Sequence, residues 1–217
     1  MKIATEYLIL ALAAFLVAVA IVVVTLAVKA KKGSFGKKSL STKQLTTLGV
    51  MSALSIVLMV LIRIPFPTAP FLEYDPADVP ILISTFLFGP WWGLLMTAVV
   101  SIIQGITVSV SSEIIGIIMH IAATGGFVIS AGLIYKRGKS IKRAIIALVV
   151  GVVVQTVLMA GMNLVFTPIF MKTPLDVVLK MMIPTIIPFN LIKAGVNAFV
   201  TFFIYKFVSK AVNKIFG

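Results

Sequence analysis

The chain has 217 residues, of which 60% are hydrophobic and 12% are charged, and its formal net charge is +13. A soluble domain is about half apolar and about a quarter charged, so this composition, with its long uncharged runs, indicates a polytopic helical membrane protein. No alternating ten-residue segments indicate an outer-membrane barrel. The lysines lie in short stretches between apolar runs, which is a topology signal and argues against nucleic-acid binding. The absence of cysteine excludes disulfides and thiol chemistry.

Residues 6–28 form the first predicted transmembrane span. A signal peptide is the competing interpretation, but the apolar run is too long for one and a basic cluster follows it. We therefore predict an N-terminal transmembrane anchor over 1–30 and a basic cytoplasmic linker over 31–43. The remainder, 44–217, is predicted to be the membrane domain that binds the substrate.

The second span, near 44–62, has small residues on one side, with Gly49 and Ala53 one helical turn apart. Small residues allow another helix to approach closely, so this face is a candidate docking surface for a partner protein. Ordinary packing inside the same bundle would use the same pattern. The spacing does not choose between these two interpretations.

Residues 63–78 contain four prolines among aromatic and acidic side chains, so a regular helix is excluded there. We predict a functional loop that covers an outward-facing cavity. A short third span follows over 79–88, and a Gly-Pro pair ends it. The fourth span begins at two tryptophans, which suit the boundary between water and lipid.

The fifth span, from about 113 to 135, has His120 and Thr124 on one polar stripe. His120 is the only histidine in the sequence, so a multi-histidine metal site is excluded. Both residues are candidate ligand contacts, although hydrogen-bonded packing inside the bundle would also explain His120. The sixth span, 144–170, carries Asn163, and residues 171–184 are predicted to be a loop.

The seventh span, 185–208, contains a lysine in an apolar run, with Asn190 and Lys193 on one stripe. A cation at the centre of a membrane helix costs about 2.5–3.5 kcal/mol, so Lys193 needs a partner or a function. Together with Asn163, these side chains suit a planar heteroaromatic ligand with carbonyl and imino edges. Alternatively, Lys193 reaches the membrane interface or pairs with Glu113 or Asp75. The deeper Asn197 and Thr201 are predicted to be helix-packing residues.

The distribution of lysine and arginine predicts the orientation. Seven predicted spans place three basic segments on one side of the membrane, and the loops on the other side carry few cations. The basic segments are 29–43, 136–143 and 206–214. By the positive-inside rule, the N-terminus lies outside and the C-terminus in the cytoplasm of a multi-pass cell-membrane protein.

The sequence contains no zinc-protease, serine-hydrolase or Walker motif. We therefore predict that the chain is not an enzyme and that any active transport takes energy from a partner or an ion gradient. An intramembrane enzyme acting on lipid or peptide, and a solitary channel or ion-coupled carrier, stay as alternatives.

Two motifs resemble one membrane-protein family. Phe71-Leu-Glu-Tyr-Asp-Pro-Ala-Asp-Val-Pro80, followed by Gly89-Pro90, resembles the first loop and second helix of S components of energy-coupling-factor (ECF) vitamin transporters. Phe189-Asn-Leu-Ile-Lys-Ala-Gly195 resembles the last helix of the riboflavin-specific members. The resemblance covers roughly residues 44–208.

The resemblance implies an all-α polytopic membrane protein: a six-helix S-component bundle with one extra N-terminal transmembrane helix. Such a protein captures riboflavin from outside with high affinity and has no cofactor of its own. It delivers the vitamin through a membrane T component and two cytoplasmic ATPase subunits. The same fold with thiamine, folate or pantothenate as ligand is the nearest alternative.

The resemblance also implies roles for individual residues. Asn163, Asn190 and Lys193 would bond the edge of the isoalloxazine ring. Leu72, Glu73 and Tyr74 would close the first loop over the ligand. Gly49 and Ala53 would lie on the helix face that meets the T component, where the family has alanine at the position of Gly49.

Overall fold

The computed structural model describes residues 41–107 and 113–216. The predicted N-terminal anchor, 1–30, and all but the end of the basic linker lie outside the described residues. The described chain is helical apart from one small sheet. Its helices are α1 Thr42–Leu61, α2 Asp78–Phe88, α3 Pro90–Thr107, α4 Glu113–Lys136, α5 Ile141–Met171, α6 Leu175–Met181 and α7 Ile187–Phe216. Its strands are β1 Ile64–Phe66 and β2 Ala69–Tyr74.

The helices confirm the predicted membrane class. Within residues 41–107 and 113–216, five helical segments are long and apolar enough to cross a membrane, the last running through α6 and α7. Helix α2 has only 11 residues and is too short to cross alone. With α2, the described part of the chain has the six helical segments of the predicted bundle.

Local sequence signals set the helix ends. Ser41 begins α1 with a capping box: its hydroxyl accepts from the Gln44 amide, and the Gln44 side chain accepts from the Ser41 amide. Ser140 caps α5 through the Arg143 amide. Gly89 separates α2 from α3 with a φ of 102°, a conformation that favours glycine, and Pro90 then starts α3.

Residues 63–78 differ from the predicted loop, because most of them form an antiparallel β-hairpin. Ile64 pairs with Tyr74 and Pro65 with Glu73, and the register shifts after Pro65. Both strands of a two-stranded sheet are edges, where a proline that donates no hydrogen bond is tolerated. The prolines therefore excluded a helix, as predicted, without excluding strands.

The predicted loop over 171–184 is also wrong, since α6 occupies residues 175–181 and a π-helical turn follows over 182–186. Pro184 and Pro188 lack an amide proton, and each ring crowds the carbonyl four residues earlier in an α-helix. The wider π turn accommodates this crowding and lets the helical path continue into α7.

The hairpin covers one end of the bundle, which we call the hairpin end. The Phe66 and Phe189 rings meet edge to face with centroids 5.4 Å apart. An apolar cluster joins the hairpin to α6, the π turn and the start of α7. Its buried members are Ala69, Leu72, Val178, Met182, Ile186 and Phe189.

The opposite end, at the turn between α4 and α5, is the basic end. Tyr135 stacks on Phe86 with centroids 4.3 Å apart and donates a hydrogen bond to Tyr205 of α7. Tyr205 follows Phe189 by about 24 Å of helix at the usual rise per residue. Between this end and the hairpin end the helices are tightly packed: a Cβ added at Gly151 would lie 2.1 Å from the Phe127 ring.

Candidate functional site

A cavity of about 180 Å³ lies beneath the hairpin, between α3, α4, α5 and α7. Its apolar wall supplies aromatic and thioether side chains, which suit the faces of a flat ring system. The wall includes the aliphatic Leu72 and the aromatic and thioether side chains of Phe71, Met119, Met159, Phe166 and Phe189. The polar lining comes from the hairpin and from all four of these helices.

The structure brings together seven of the eight residues predicted as substrate contacts. Those lining the cavity are Leu72, Glu73, His120, Thr124, Asn163, Asn190 and Lys193. The eighth, Tyr74, does not line it. The Tyr74 hydroxyl instead donates to Asn197 Oδ1 at 3.1 Å. Burial, reinforced by the neighbouring Asp75 carboxylate, raises the pKa of the Tyr74 phenol, so the hydroxyl keeps the proton that it donates.

Lys193 is paired with Asp75, one of the two acidic partners left open by the sequence. Lys193 Nζ lies 2.7 Å from Asp75 Oδ2, and the two side chains are 12% and 5% exposed. The same nitrogen donates to the Glu73 carbonyl at 3.4 Å. An ammonium group has three N–H donors, so one remains for a ligand in the cavity.

The two asparagines are oriented by their own helices. Asn190 Nδ2 donates to the Ile186 carbonyl at 2.8 Å, and Asn163 Nδ2 donates to the Met159 carbonyl at 2.7 Å. One N–H of Asn190 is used on the backbone, so this side chain has its oxygen and its second N–H left for the cavity. Asn163 Oδ1 already accepts from Thr167 at 2.8 Å, so its second N–H is the group left for a ligand.

Asp78 is the functional candidate that the sequence analysis missed. It is 1% exposed and receives donors from three helices: Thr124 at 3.2 Å, Gln155 at 3.4 Å and Asn197 at 3.4 Å. His120 Nε2 lies 3.4 Å from the same carboxylate. The available signal was the second acid of the Asp-Pro-Ala-Asp segment, which directly precedes an apolar helix.

A contact chain that resembles a hydrolase triad links Ser101, His120 and Asp78. Its hydrogen-bond donors and acceptors, however, are arranged differently from those of a triad. Ser101 Oγ donates to the Thr97 carbonyl at 2.6 Å, so it accepts from His120 Nδ1 at 2.7 Å. The other ring nitrogen faces Asp78. Both ring nitrogens therefore face oxygens that accept hydrogen bonds, Ser101 Oγ and the Asp78 carboxylate. A serine nucleophile needs the reverse, with the imidazole accepting the hydroxyl proton.

Two glutamines that line the cavity have side-chain oxygens without a hydrogen-bond partner among the described residues. Gln104 Oε1 and Gln155 Oε1 are buried, and neither has a hydrogen-bond partner in the described part of the chain. Buried acceptors of this kind are normally satisfied, so they point to donors supplied by a ligand or by water. Neither glutamine was identified as a ligand contact by the sequence analysis.

The predicted docking face of α1 lies away from the cavity. Within the part of the chain that the structure describes, Gly49 and Ala53 are both exposed, and a Cβ added at Gly49 would meet nothing within 4 Å. These small residues therefore do not pack against the other described helices. They leave a shallow, open face on the surface of α1.

Residues 43–205 match the family described as the substrate-specific component of ECF transporters. The chain belongs to this family. Riboflavin transporter RibU of Staphylococcus aureus (strain TCH60) is 31% identical over 180 residues, covering 80% of this chain and 94% of that protein. Riboflavin transporter FmnP of Bacillus subtilis (strain 168) is 29% identical, covering 71% of this chain and 85% of that protein.

Solved structures agree with the family. One S component of a bacterial ECF transporter superposes with a TM-score of 0.68 at 29% identity, covering 78% of this chain and 97% of that one. The S component for biotin from an ECF-type transporter gives 0.53 at 20% identity, covering 77% and 95%, which shows the fold alone. The predicted S-component fold is confirmed, and the chain is a multi-pass membrane protein of a transport family.

Proposed function

We propose that this S component binds riboflavin at the hairpin end and supplies it to an ECF importer. The observation that carries the proposal is the pairing of an acceptor and a cationic donor on one face of α7, Asn190 Oδ1 and Lys193 Nζ, inside a cavity with an aromatic wall. Relatives at about 30% identity that are named riboflavin transporters support the choice of ligand.

The chemistry of the flavin ring fits these groups. The polar edge of isoalloxazine carries one imide N–H between two carbonyl oxygens. Asn190 Oδ1 accepts the imide proton, and Lys193 donates to a neighbouring carbonyl. Asn163 donates its second N–H from α5. Phe71, the methionines and the other apolar residues of the wall cover the ring faces.

The ribityl chain supplies hydroxyl donors. In the proposed complex these satisfy the buried acceptors Gln104 Oε1 and Gln155 Oε1, which the protein itself leaves without partners. A site that leaves buried polar groups unpaired discriminates strongly against ligands without matching donors. The cavity would thus select for both halves of riboflavin.

Transport requires further subunits in this proposal. The chain has no Walker motif, so a T component and two cytoplasmic ATPases supply the energy. The open face at Gly49 and Ala53 is the proposed surface for the T component. The hairpin end faces outward, because Lys136, Arg137, Lys139, Lys142 and Arg143 all lie at the basic end, and the C-terminus is cytoplasmic.

Titration with riboflavin tests the proposal directly. Protein purified from a flavin-containing host should be yellow, and flavin-free protein should quench the fluorescence of added riboflavin. A thermal-shift panel with thiamine, folate and pantothenate tests the other vitamins. Colourless protein that leaves riboflavin fluorescence unchanged would contradict the flavin assignment. Vitamin uptake into liposomes by this chain alone would contradict the need for ATPase partners.

A further inference from the structure

We propose that Asp75 is a positioning residue of the ligand site. It holds Lys193 as a charged donor aimed into the cavity and links ligand binding to closure of the hairpin. This inference rests on the proposed riboflavin site, which includes Lys193. In this inference the hairpin segment does more than cover the cavity, because it also positions a ligand-binding side chain.

The Asp75 carboxylate is fixed at both oxygens. Asp75 directly follows β2, and its Oδ1 accepts from the Ala77 amide at 3.1 Å. Oδ2 lies 2.7 Å from Lys193 Nζ. An aspartate that bonds the backbone two residues later is locked into a tight turn. The carboxylate therefore meets Lys193 in a defined direction and not as a mobile surface charge.

The other charged and titratable side chains near Lys193 are bonded to partners of their own. Asp78 is also nearby, but its oxygens receive Thr124, Gln155 and Asn197 and face His120. Glu73 binds Arg63 through its side chain and offers Lys193 only its carbonyl. Tyr74 directs its hydroxyl to Asn197. Among the described residues, Asp75 is thus the carboxylate in direct contact with Lys193.

A buried ammonium needs this counter-ion. Removing one member of a buried ion pair leaves the other charge uncompensated and is strongly destabilising. A buried lysine avoids the cost by giving up its proton. Neutral Lys193 would still fill the same space, but it would be a much weaker donor to a flavin carbonyl.

The same contacts fasten the hairpin to α7. Lys193 holds the carboxylate of Asp75 and the carbonyl of Glu73, while Asn197, one turn later, donates to the Asp75 carbonyl at 3.2 Å. Tyr74 closes the set through Asn197. Three consecutive hairpin residues are therefore held by two residues of α7. A ligand bonded to Lys193 stabilises the group that holds the hairpin closed.

Riboflavin titrations of Asp75→Asn over pH 6–9 test the inference. Asparagine keeps the size and an acceptor for the Ala77 amide but loses the charge. We expect riboflavin affinity to fall about tenfold or more at pH 7, as expected for loss of a buried charge partner. The deficit should grow toward pH 9, because the unpaired lysine then loses its proton. The wild-type profile should stay flat over this range.

Two further variants separate positioning from general damage. Asp75→Glu retains the charge, so we expect partial recovery of affinity and a flat pH profile. Asp176→Asn makes the same change at an exposed site of α6 outside the cavity, and it should bind like wild type. If Asp75→Asn does not fold, Asp75→Glu still decides: a deficit that grows with pH in this variant would overturn the inference.

Hydrogen exchange supplies a second readout. In Asp75→Asn the amides of residues 64–74 should exchange faster, and riboflavin should protect them less than in wild type. Wild-type affinity and hairpin protection in Asp75→Asn would overturn the role of Asp75 while leaving the riboflavin site intact. Absence of riboflavin binding by the wild-type protein would instead contradict the proposed function.

Discussion

The hairpin end and the basic end of the bundle are built from different interactions. At the basic end, Phe86, Tyr135 and Tyr205 pack ring against ring, and between the two ends Gly151 lets α5 approach Phe127. At the hairpin end, two buried carboxylates receive a lysine, a histidine and several amides. The ends share helices α4, α5 and α7, so the difference lies in the side chains.

The contrast shows that the hairpin end is the part of the fold where buried charges lower the stability. Burying charges is expensive unless each one is paired and hydrogen-bonded, whereas apolar packing has no such penalty. The buried charges of the hairpin end are therefore best explained by a function in the cavity beneath the hairpin. The packed end provides a rigid base. Substitutions should affect ligand binding at one end and thermal stability at the other.

The largest effect is expected at the cation itself. Lys193→Met removes a donor to the ligand and leaves Asp75 without its partner, so riboflavin affinity should fall by about a hundredfold or more. Fluorescence quenching measures the change. Lys180→Met, which alters an exposed lysine outside the cavity, is the matched control and should bind like wild type. Equal riboflavin affinity in both variants would contradict a ligand contact with α7.

The next effect is expected at the acceptor. Asn190→Leu removes the oxygen that accepts the imide proton, and we expect a loss of about ten- to thirtyfold, typical of one buried hydrogen bond in a closed site. A flavin methylated at the imide nitrogen separates this bond from packing. It should bind poorly to wild type, and Asn190→Leu should cause little further loss with it. A full further loss would contradict the assigned bond.

Away from the hairpin end the effect should be on stability. Gly151→Ala places a Cβ 2.1 Å from the Phe127 ring, so the helices must separate at a cost of about 1–3 kcal/mol. The melting temperature in detergent should fall, and folded protein should keep its riboflavin affinity. Gly195→Ala, where a Cβ meets nothing within 4 Å among the described residues, is the control, and because alanine is the better helix former it should melt at or slightly above the wild-type temperature. An equal loss of stability in both variants would contradict the packing argument.

Sequence patterns predicted the class, the long helices and seven of the residues that line the cavity, because a polar side chain in a long apolar run is costly unless it faces a partner or a cavity. Asn190 and Lys193 stand out for this reason. The opposite stripe, which includes Ile192, Phe199 and Phe203, is more than half exposed at each of these positions and faces away from the bundle. Helical periodicity therefore predicts both the inner and the outer face.

The hairpin and the charge pairs could not be predicted in the same way. Prolines exclude a helix but are compatible with an edge strand, so residues 63–78 were predicted only as a loop. Without strand directions, nothing distinguished Glu73, which lines the cavity, from Tyr74, which does not. The role of Asp78 depends on three helices meeting in space, and that convergence leaves no local pattern.

Tyr74 provides the smallest expected effect and tests the boundary of the site. Tyr74→Phe removes only the hydroxyl that donates to Asn197 at 3.1 Å, and the ring keeps its place against the apolar cluster of the hairpin. We expect a loss of stability of about 1 kcal/mol, the usual net value of one hydrogen bond. Riboflavin affinity should change by less than about threefold, because Lys193 still holds Asp75 and the Glu73 carbonyl in this variant. Parallel melting and quenching measurements check both values. A loss of affinity as large as that of Asn190→Leu would place the Tyr74 hydroxyl among the ligand contacts and extend the site behind the hairpin.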